Sequence, residues 1–274
     1  EKSADEYANF WGNFGAVLKE GLYEDFESRE KLLEICRFRS TESDELISLA
    51  QYVERMKDGQ EAIYFITGED QAQVARSPQL EGFKSKGIEV LLLTDPIDDF
   101  WIQSVGSFMD KTFKSATRAG SDLDSMGEDK KDEDAKDDAK TDDAGVDALV
   151  ARLKVALGET VKDVRASSRL TSSAVCLVSD EGDMDMHMER ILKQHKQMSG
   201  DTAPTPRILE INPKHGLILK LSESAKASTE ANPAIDDAAH LLLDQARILE
   251  GEAPADPLEF ARRVSQMMER GLSL

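Results

Sequence analysis

The chain has 274 residues, room for about two domains that each bury a core. Its 34 Lys and Arg stand against 54 Asp and Glu, a net charge of -20, so neither a nucleic acid nor a membrane surface is expected as a partner. The two cysteines, Cys36 and Cys176, form no CxxC pair, and no apolar run approaches the roughly 20 residues that span a bilayer, which together predict a reducing, cytoplasmic setting. The chain opens at Glu1 without Met or a signal peptide, which reads as a fragment.

Tyr7, Phe10, Trp11, Phe14 and Leu18 recur at helical spacing and predict an amphipathic helix whose aromatic stripe is core. A second amphipathic segment follows over 26–38. Ser48 with Gln51 three residues on predicts a capping box, and Asp58-Gly59 the end of that helix. Two apolar runs, 62–67 and 88–93, lie far enough apart for a parallel crossover rather than a hairpin. Asp95-Pro96 then predicts a helix start, with Ile97, Phe100, Trp101 and Val105 along its length.

Between residues 120 and 143 the composition changes abruptly. From Asp122 to Asp143 there are 11 acids and 4 lysines and almost nothing to pack, so this stretch predicts a solvated linker and a domain boundary. Beyond it come a helix with Val146, Leu149, Val150, Leu153 and Leu157 on one face, and strands at 161–167, 175–179 and 207–211. Asn212-Pro213, Asn232-Pro233 and Asp256-Pro257 each predict a helix start. The fold class is therefore α/β and α+β: a helical segment at 1–59, a small α/β layer at 60–119, the acidic linker at 120–143, and an α+β domain at 144–274.

Several candidate sites give way to plainer readings. The turn Thr67-Gly68-Glu69-Asp70 has one glycine and two acids, a poor phosphate cradle. Asp122, Asp124, Gly127 and Glu133 fit an EF-hand frame, but Met126 and Lys130 occupy ligand positions, so a solvated linker is the better reading. Met184, Met186, His187 and Met188 could in principle hold Cu(I). On a helix from about Asp183, however, Met184, Met188, Ile191, Leu192 and His195 share a stripe while Met186 and Glu189 point away. Core packing and a partly exposed, adaptable partner surface both remain open for that stripe. His187, His195, His215 and His240 show no local nucleophile or metal partner, so no catalytic, cofactor or metal site is expected.

The last helices carry the strongest signal for self-association. Ile235, Ala238, Ala239, Leu242, Ala246 and Leu249 form one face of a helix from Pro233, yet Leu241, Leu243 and Ile248 are apolar too. In the final helix Leu258, Ala261 and Met268 face one way, Phe260, Val264 and Met267 another. Two such helices from each of two copies predict a dimeric four-helix bundle about a twofold axis.

In order, the stretches FWGNFGAVLKEGLYEDF from Phe10, RFRST from Arg37, SLAQYVERMKDGQEAIYFITG from Ser48 and KGIEVLLLTDPIDDF from Lys86 resemble the ninety-kilodalton heat-shock (Hsp90) chaperone family. So do VKDVRASSRLT from Val161, EINPKHG from Glu210 and LLLDQARILEG from Leu241, and the resemblance is specifically to the bacterial HtpG-type members. The resemblance implies the later part of the family's middle domain followed by its C-terminal dimerisation domain. It implies that the ATP-binding domain and the catalytic arginine loop precede Glu1, so this fragment needs no ATP or magnesium and is not an enzyme, although the full-length family runs an ATP-driven clamp. It also implies contact with non-native client proteins through Met184, Met188, Ile191 and Leu192, and through Asp99, Phe100, Trp101 and Gln103, where the bacterial pattern usually has Trp in place of Phe100. The ending MMERGLSL differs from the acidic tail of eukaryotic members, so no tetratricopeptide co-chaperone is expected to dock there. The alternatives from other classes are an α/β enzyme with an interdomain site and an acidic calcium-binding scaffold.

Overall fold

A computed structural model describes residues 4–118, 123, 143–180, 182–197, 205–227 and 232–272. The acidic linker and its calcium-loop frame fall outside those residues, Leu123 and Asp143 excepted. The chain packs as two compact units, one of Glu1–Arg76, Phe83–Gly127 and Asp183–Thr202, the other of Ser77–Gly82, Glu128–Gly182 and Ala203–Leu274.

The first unit is built on a five-stranded mixed sheet in the order β1-β3-β2-β5-β4. Its centre is the expected pair, β2 (Ala62–Thr67) parallel to β3 (Val90–Leu93), both buried along their whole length. β1 (Arg39–Ser40) closes one edge antiparallel to β3. On the other side β5 (Lys111–Ser115) runs parallel to β2 and pairs antiparallel with β4 (Ser107–Phe108). The β4–β5 hairpin escapes sequence reading because its turn is Met109-Asp110, both at positive φ, where Asn-Gly would be the usual signal. Lys111 and Lys114 also mask the strand's alternation.

Three helices complete the core: α1 (Ala4–Glu24), α2 (Arg29–Ile35) and α3 (Leu49–Glu54). Ser48 forms the capping box expected with Gln51, but α3 ends at Glu54, short of Asp58-Gly59. Tyr52 locks α3 to the sheet: its hydroxyl donates to the Glu89 carbonyl at 2.6 Å and accepts from the Tyr64 amide at 2.9 Å. The aromatic stripe of α1 is only partly core. Trp11 and Leu22 are buried, whereas Phe10, Phe14 and Val17 are exposed, because the neighbouring elements cover one side of that wide stripe.

The crossover from β2 to β3 contains the short α4 (Gln71–Val74), a 3₁₀ turn (Pro78–Leu80) and α5 (Glu81–Ser85). After β3, the helix expected at Asp95-Pro96 begins later, as α6 (Asp98–Ser104). Asp95 does not cap it; its carboxylate instead accepts from the buried Lys19 ammonium at 2.7 Å. Lys19 also donates to Asp98 Oδ2 at 3.0 Å, and Asp98 Oδ1 accepts from Trp101 Nε1 at 2.6 Å.

The second unit holds a three-stranded sheet in the order β6-β8-β7. β6 (Asp163–Ala166) is parallel to β8 (Ile208–Ile211), and β7 (Val175–Val178) is antiparallel to it. Helix α7 (Asp143–Leu157) buries Val146, Leu149, Leu153 and Leu157, the face its periodicity predicts. Within the sheet, Glu210 is buried and accepts from Arg165 Nη2 at 2.6 Å and Ser167 Oγ at 2.7 Å, with Arg169 Nε at 3.1 Å.

Four helices remain to be placed: α8 (Met186–Gln197) in the first unit, and α9 (Gly216–Ala227), α10 (Pro233–Leu249) and α11 (Pro257–Leu272) in the second. Asn232 and Asp256 cap α10 and α11 as expected. Asn212 does not start a helix; its side chain accepts from the Lys214 amide in a turn, and α9 begins four residues later.

Candidate functional site

Helix α8 begins at Met186 rather than near Asp183, and Asp185 explains why. Its Oδ1 accepts from the His187 amide at 3.0 Å, satisfying a free donor of the first turn. The same buried carboxylate reaches the carboxyl ends of two parallel strands. Oδ1 accepts from Thr67 Oγ1 at 3.1 Å, and Oδ2 from Ser115 Oγ at 2.6 Å and Thr117 Oγ1 at 3.1 Å. A second tie follows one residue on from Met186, where His187 Nδ1 lies 2.8 Å from Asp99 Oδ2 on α6.

These ties select the buried face of α8. Met186, His187 and Glu189 turn inward, contrary to the expectation that Met186 and Glu189 point away, because the polar anchors Asp185 and His187 set the helix rotation. Met184 is exposed, and Met188, Ile191 and Leu192 are half-buried, so the stripe keeps accessible apolar surface. Residue 195 is helical, and its side chain lies outside the described set.

Helix α6 divides just as sharply. Phe100 and Gln103 reach solvent. Asp99 and Trp101, expected to touch clients, are buried instead. Trp101 packs in the core against Phe38 and Phe113, and Asp99 is engaged by His187. Neither side chain can meet a partner while the unit stays folded.

The final helices separate inner from outer surface. Ile235, Leu242 and Ala246, expected at a dimer interface, are buried within their own unit, since α10 packs on α7 and β7. Leu249 and Ile248 are exposed and Leu241 is half-buried. Helix α11 has no buried residue along its 16 positions. Arg263 and Arg262 tie it to Asp237 of α10, at 3.4 and 3.8 Å. On its apolar side Phe260, Val264, Met267 and Met268 face Leu241, Ile248 and Leu249 across a cleft of about 540 Å³. Leu258 and Met268 are exposed as well.

The sequence model of the family described as Hsp90 protein matches residues 1–274, the whole chain. The chain belongs to the Hsp90 family. It is 55% identical over 278 residues to the chaperone protein HtpG of Paramagnetospirillum magneticum, the match covering 99% of this chain and 43% of that relative. It is 53% identical over 273 residues to HtpG of Roseobacter denitrificans, with 99% and 43% covered, and 50% identical over 271 residues to that of Rhodospirillum rubrum, with 97% and 42% covered. The chain thus spans about two fifths of the length of these bacterial HtpG relatives.

Within this Hsp90-family chain, what sequence reading missed is Asp185 and the anchoring role of His187. Their only local signal was a His and an Asp flanking a methionine at a helix start. Both cysteines are free and buried, and burial pushes the Cys36 thiol up to about 12, leaving it inert at neutral pH. No helix among the described residues is long and apolar enough to cross a membrane.

Proposed function

We propose that the chain is the dimerising, client-contacting part of an Hsp90-family molecular chaperone, working in a bacterial cytoplasm. The observation that carries this reading is α11, a 16-residue helix with nothing buried and an open apolar cleft against α10. A helix of that length is marginal in water without a surface to pack on. A second copy, turned by a twofold axis, brings an identical pair of helices against the cleft and forms a four-helix bundle. Leu249, Leu258, Phe260, Val264, Met267 and Met268 would then supply the interface, joined by Leu241 and Ile248 in place of the inward-facing Ile235, Leu242 and Ala246.

Client contact falls to Met184, Met188, Ile191 and Leu192 on α8, with Phe100 and Gln103 on α6. Flexible, polarizable side chains suit a surface that accepts many non-native sequences. Joining two arms raises the effective concentration of the second contact. On this reading ATP and magnesium act in parts of the longer protein outside these residues. An α/β enzyme would need the carboxyl ends of its parallel strands for a ligand, and here Asp185 engages the hydroxyls at that crest.

Sedimentation over a range of protein concentrations tests the dimer. Ile248→Asp with Phe260→Asp should convert dimer to monomer, and an unchanged mass would remove the bundle. Met188→Asp with Leu192→Asp should weaken suppression of client aggregation at unchanged dimer mass. A loss of folding in that variant would instead make the stripe core.

A further inference from the structure

The chain offers an oxidant few sulfurs to attack. The reactive form of cysteine is the thiolate, and that route is closed: Cys36 and Cys176 are free but buried, and burial pushes both thiols above their ordinary range. What remains is thioether. Among the described residues the exposed methionines are Met109, Met184 and Met268. Met109 stands in the β4–β5 turn, and Met268 lines the cleft that a second copy is proposed to cover. Of the three, only Met184 belongs to a surface left open for other proteins.

Around Met184 the exposure of sulfur changes sharply from one methionine to the next. Met184 is 50% exposed, Met186 is 6% exposed, and Met188 is half-buried. The anchoring of α8 is the cause. Asp185 accepts from the Thr67, Ser115 and Thr117 hydroxyls and from the His187 amide, which turns Met186 inward. Met188, Ile191 and Leu192 stay on the outer side, with Met184 just ahead of the helix, so two of the four apolar side chains of the stripe carry a thioether. Oxidation of those two leaves the packing of α8 in place, because Met186, the methionine that packs inside, is closed to solvent.

We propose that Met184 and Met188 form an oxidation site, and that their conversion to sulfoxide by hydrogen peroxide reversibly turns the α8 stripe from apolar to polar and weakens client contact. Each sulfur gives an electron pair to one peroxide oxygen; the O–O bond breaks, an S–O bond forms, and the other oxygen leaves as water. Sulfur is oxidised by two electrons and the peroxide reduced by two. A methionine sulfoxide reductase supplied with a dithiol restores the thioether, releasing the oxygen as water and leaving a disulfide on the reductant. In the oxidised state the sulfoxide oxygen holds water, which an apolar client side chain must strip away before it can cover the stripe. An uncharged oxidant suits this chain, whose net charge of -20 repels anionic ones. The proposal rests on the reading of α8 as a client surface and adds to it a control by oxidant.

The test treats the full chain with dilute hydrogen peroxide and locates the added oxygen by peptide mass spectrometry. Met184 should oxidise first and Met188 next, with Met186 slower than Met184 by about tenfold or more. Far-ultraviolet circular dichroism should not change, suppression of client aggregation should fall several-fold, and reductases for both sulfoxide epimers should restore it. Met184→Leu with Met188→Leu, compared with its own untreated sample, should lose no suppression on peroxide treatment, whereas Met109→Leu should lose as much as wild type. Equal rates at Met184 and Met186, full suppression by a chain oxidised at both Met184 and Met188, or a double Leu variant as peroxide-sensitive as wild type each overturns the proposal. If that variant responds like wild type and peroxide also lowers the dimer mass, Met268 is the sensitive residue instead. Met188→Asp with Leu192→Asp decides the underlying reading separately: unchanged suppression there removes α8 as a client surface, and the switch with it, whatever the oxidation map shows.

Discussion

His187 Nδ1 sits 2.8 Å from Asp99 Oδ2, joining α8 to α6 across 88 positions of sequence, with both side chains closed to solvent. Among the described residues His187 Nε2 and Asp99 Oδ1 meet no further hydrogen-bond partner, so this one contact carries the polar matching of the pair. Phe100 adjoins one member of the pair and Met188 the other, so the contact positions both proposed client surfaces.

Breaking that contact leaves a buried polar group unmatched. His187→Ala should lower the unfolding free energy by about 1–3 kcal/mol and speed amide exchange over 186–193. Asp185→Ala should cost at least as much, because it strips a shared acceptor from Thr67, Ser115 and Thr117 together. Urea unfolding read alongside hydrogen exchange checks both. A His187→Ala protein with parental exchange rates would show that α8 is held by its apolar contacts alone.

Lys19 is the counter-ion of a carboxylate with no access to water. Burial pulls the Lys19 ammonium down, and Asp98 and Asp95 more than reverse this, holding it above its ordinary value. Lys19→Met should destabilise the first unit by about 3–5 kcal/mol, since Asp98 loses its counter-ion in the core and keeps only the Trp101 Nε1 and Asp95 amide donors. Chemical denaturation measures it, and a loss below about 1 kcal/mol would mean that Asp98 finds other compensation.

Glu81 offers a pH signature in the second unit. Partial burial pushes its carboxyl up, but the Ser172 amide, the Ser173 hydroxyl, the Thr171 amide and the Ser172 hydroxyl outweigh that and bring it to about 2. A folded value below the unfolded one stabilises fully above about pH 4.5, and this contribution fades as pH falls toward 2. The side chain is partly open to water, so screening reduces the effect to about 1–2 kcal/mol. Stability of wild type relative to Glu81→Gln should therefore be largest near pH 7 and shrink below about pH 4. A gap that stays constant over that range would assign the effect to uncharged hydrogen bonding.

Much of the architecture could be read from local pattern. The buried strands β2 and β3, the capping box at Ser48, the inward face of α7 and the caps at Asn232 and Asp256 all follow from period, turn chemistry and end signals within a few residues. The β4–β5 hairpin could not be read this way, because its turn residues carry no glycine and its strand carries two lysines. Nor could the late start of α6, since Asp95 was drawn away from its capping role by Lys19, 76 positions earlier.

Periodicity established that α1, α6, α8, α10 and α11 carry apolar stripes, and the ordered motifs established the Hsp90 family. Which part of each stripe is spent inside was a matter of packing. Trp101 and Asp99 went into the core, Phe100 stayed out, Met186 turned inward, and Leu242 was buried where Leu249 was not. A helix's sequence records how greasy each side is but holds no information on which neighbours arrive from distant positions to cover it. Those neighbours, Thr67 reaching Asp185 and Asp99 reaching His187, meet only when the chain has closed loops of 118 and 88 positions.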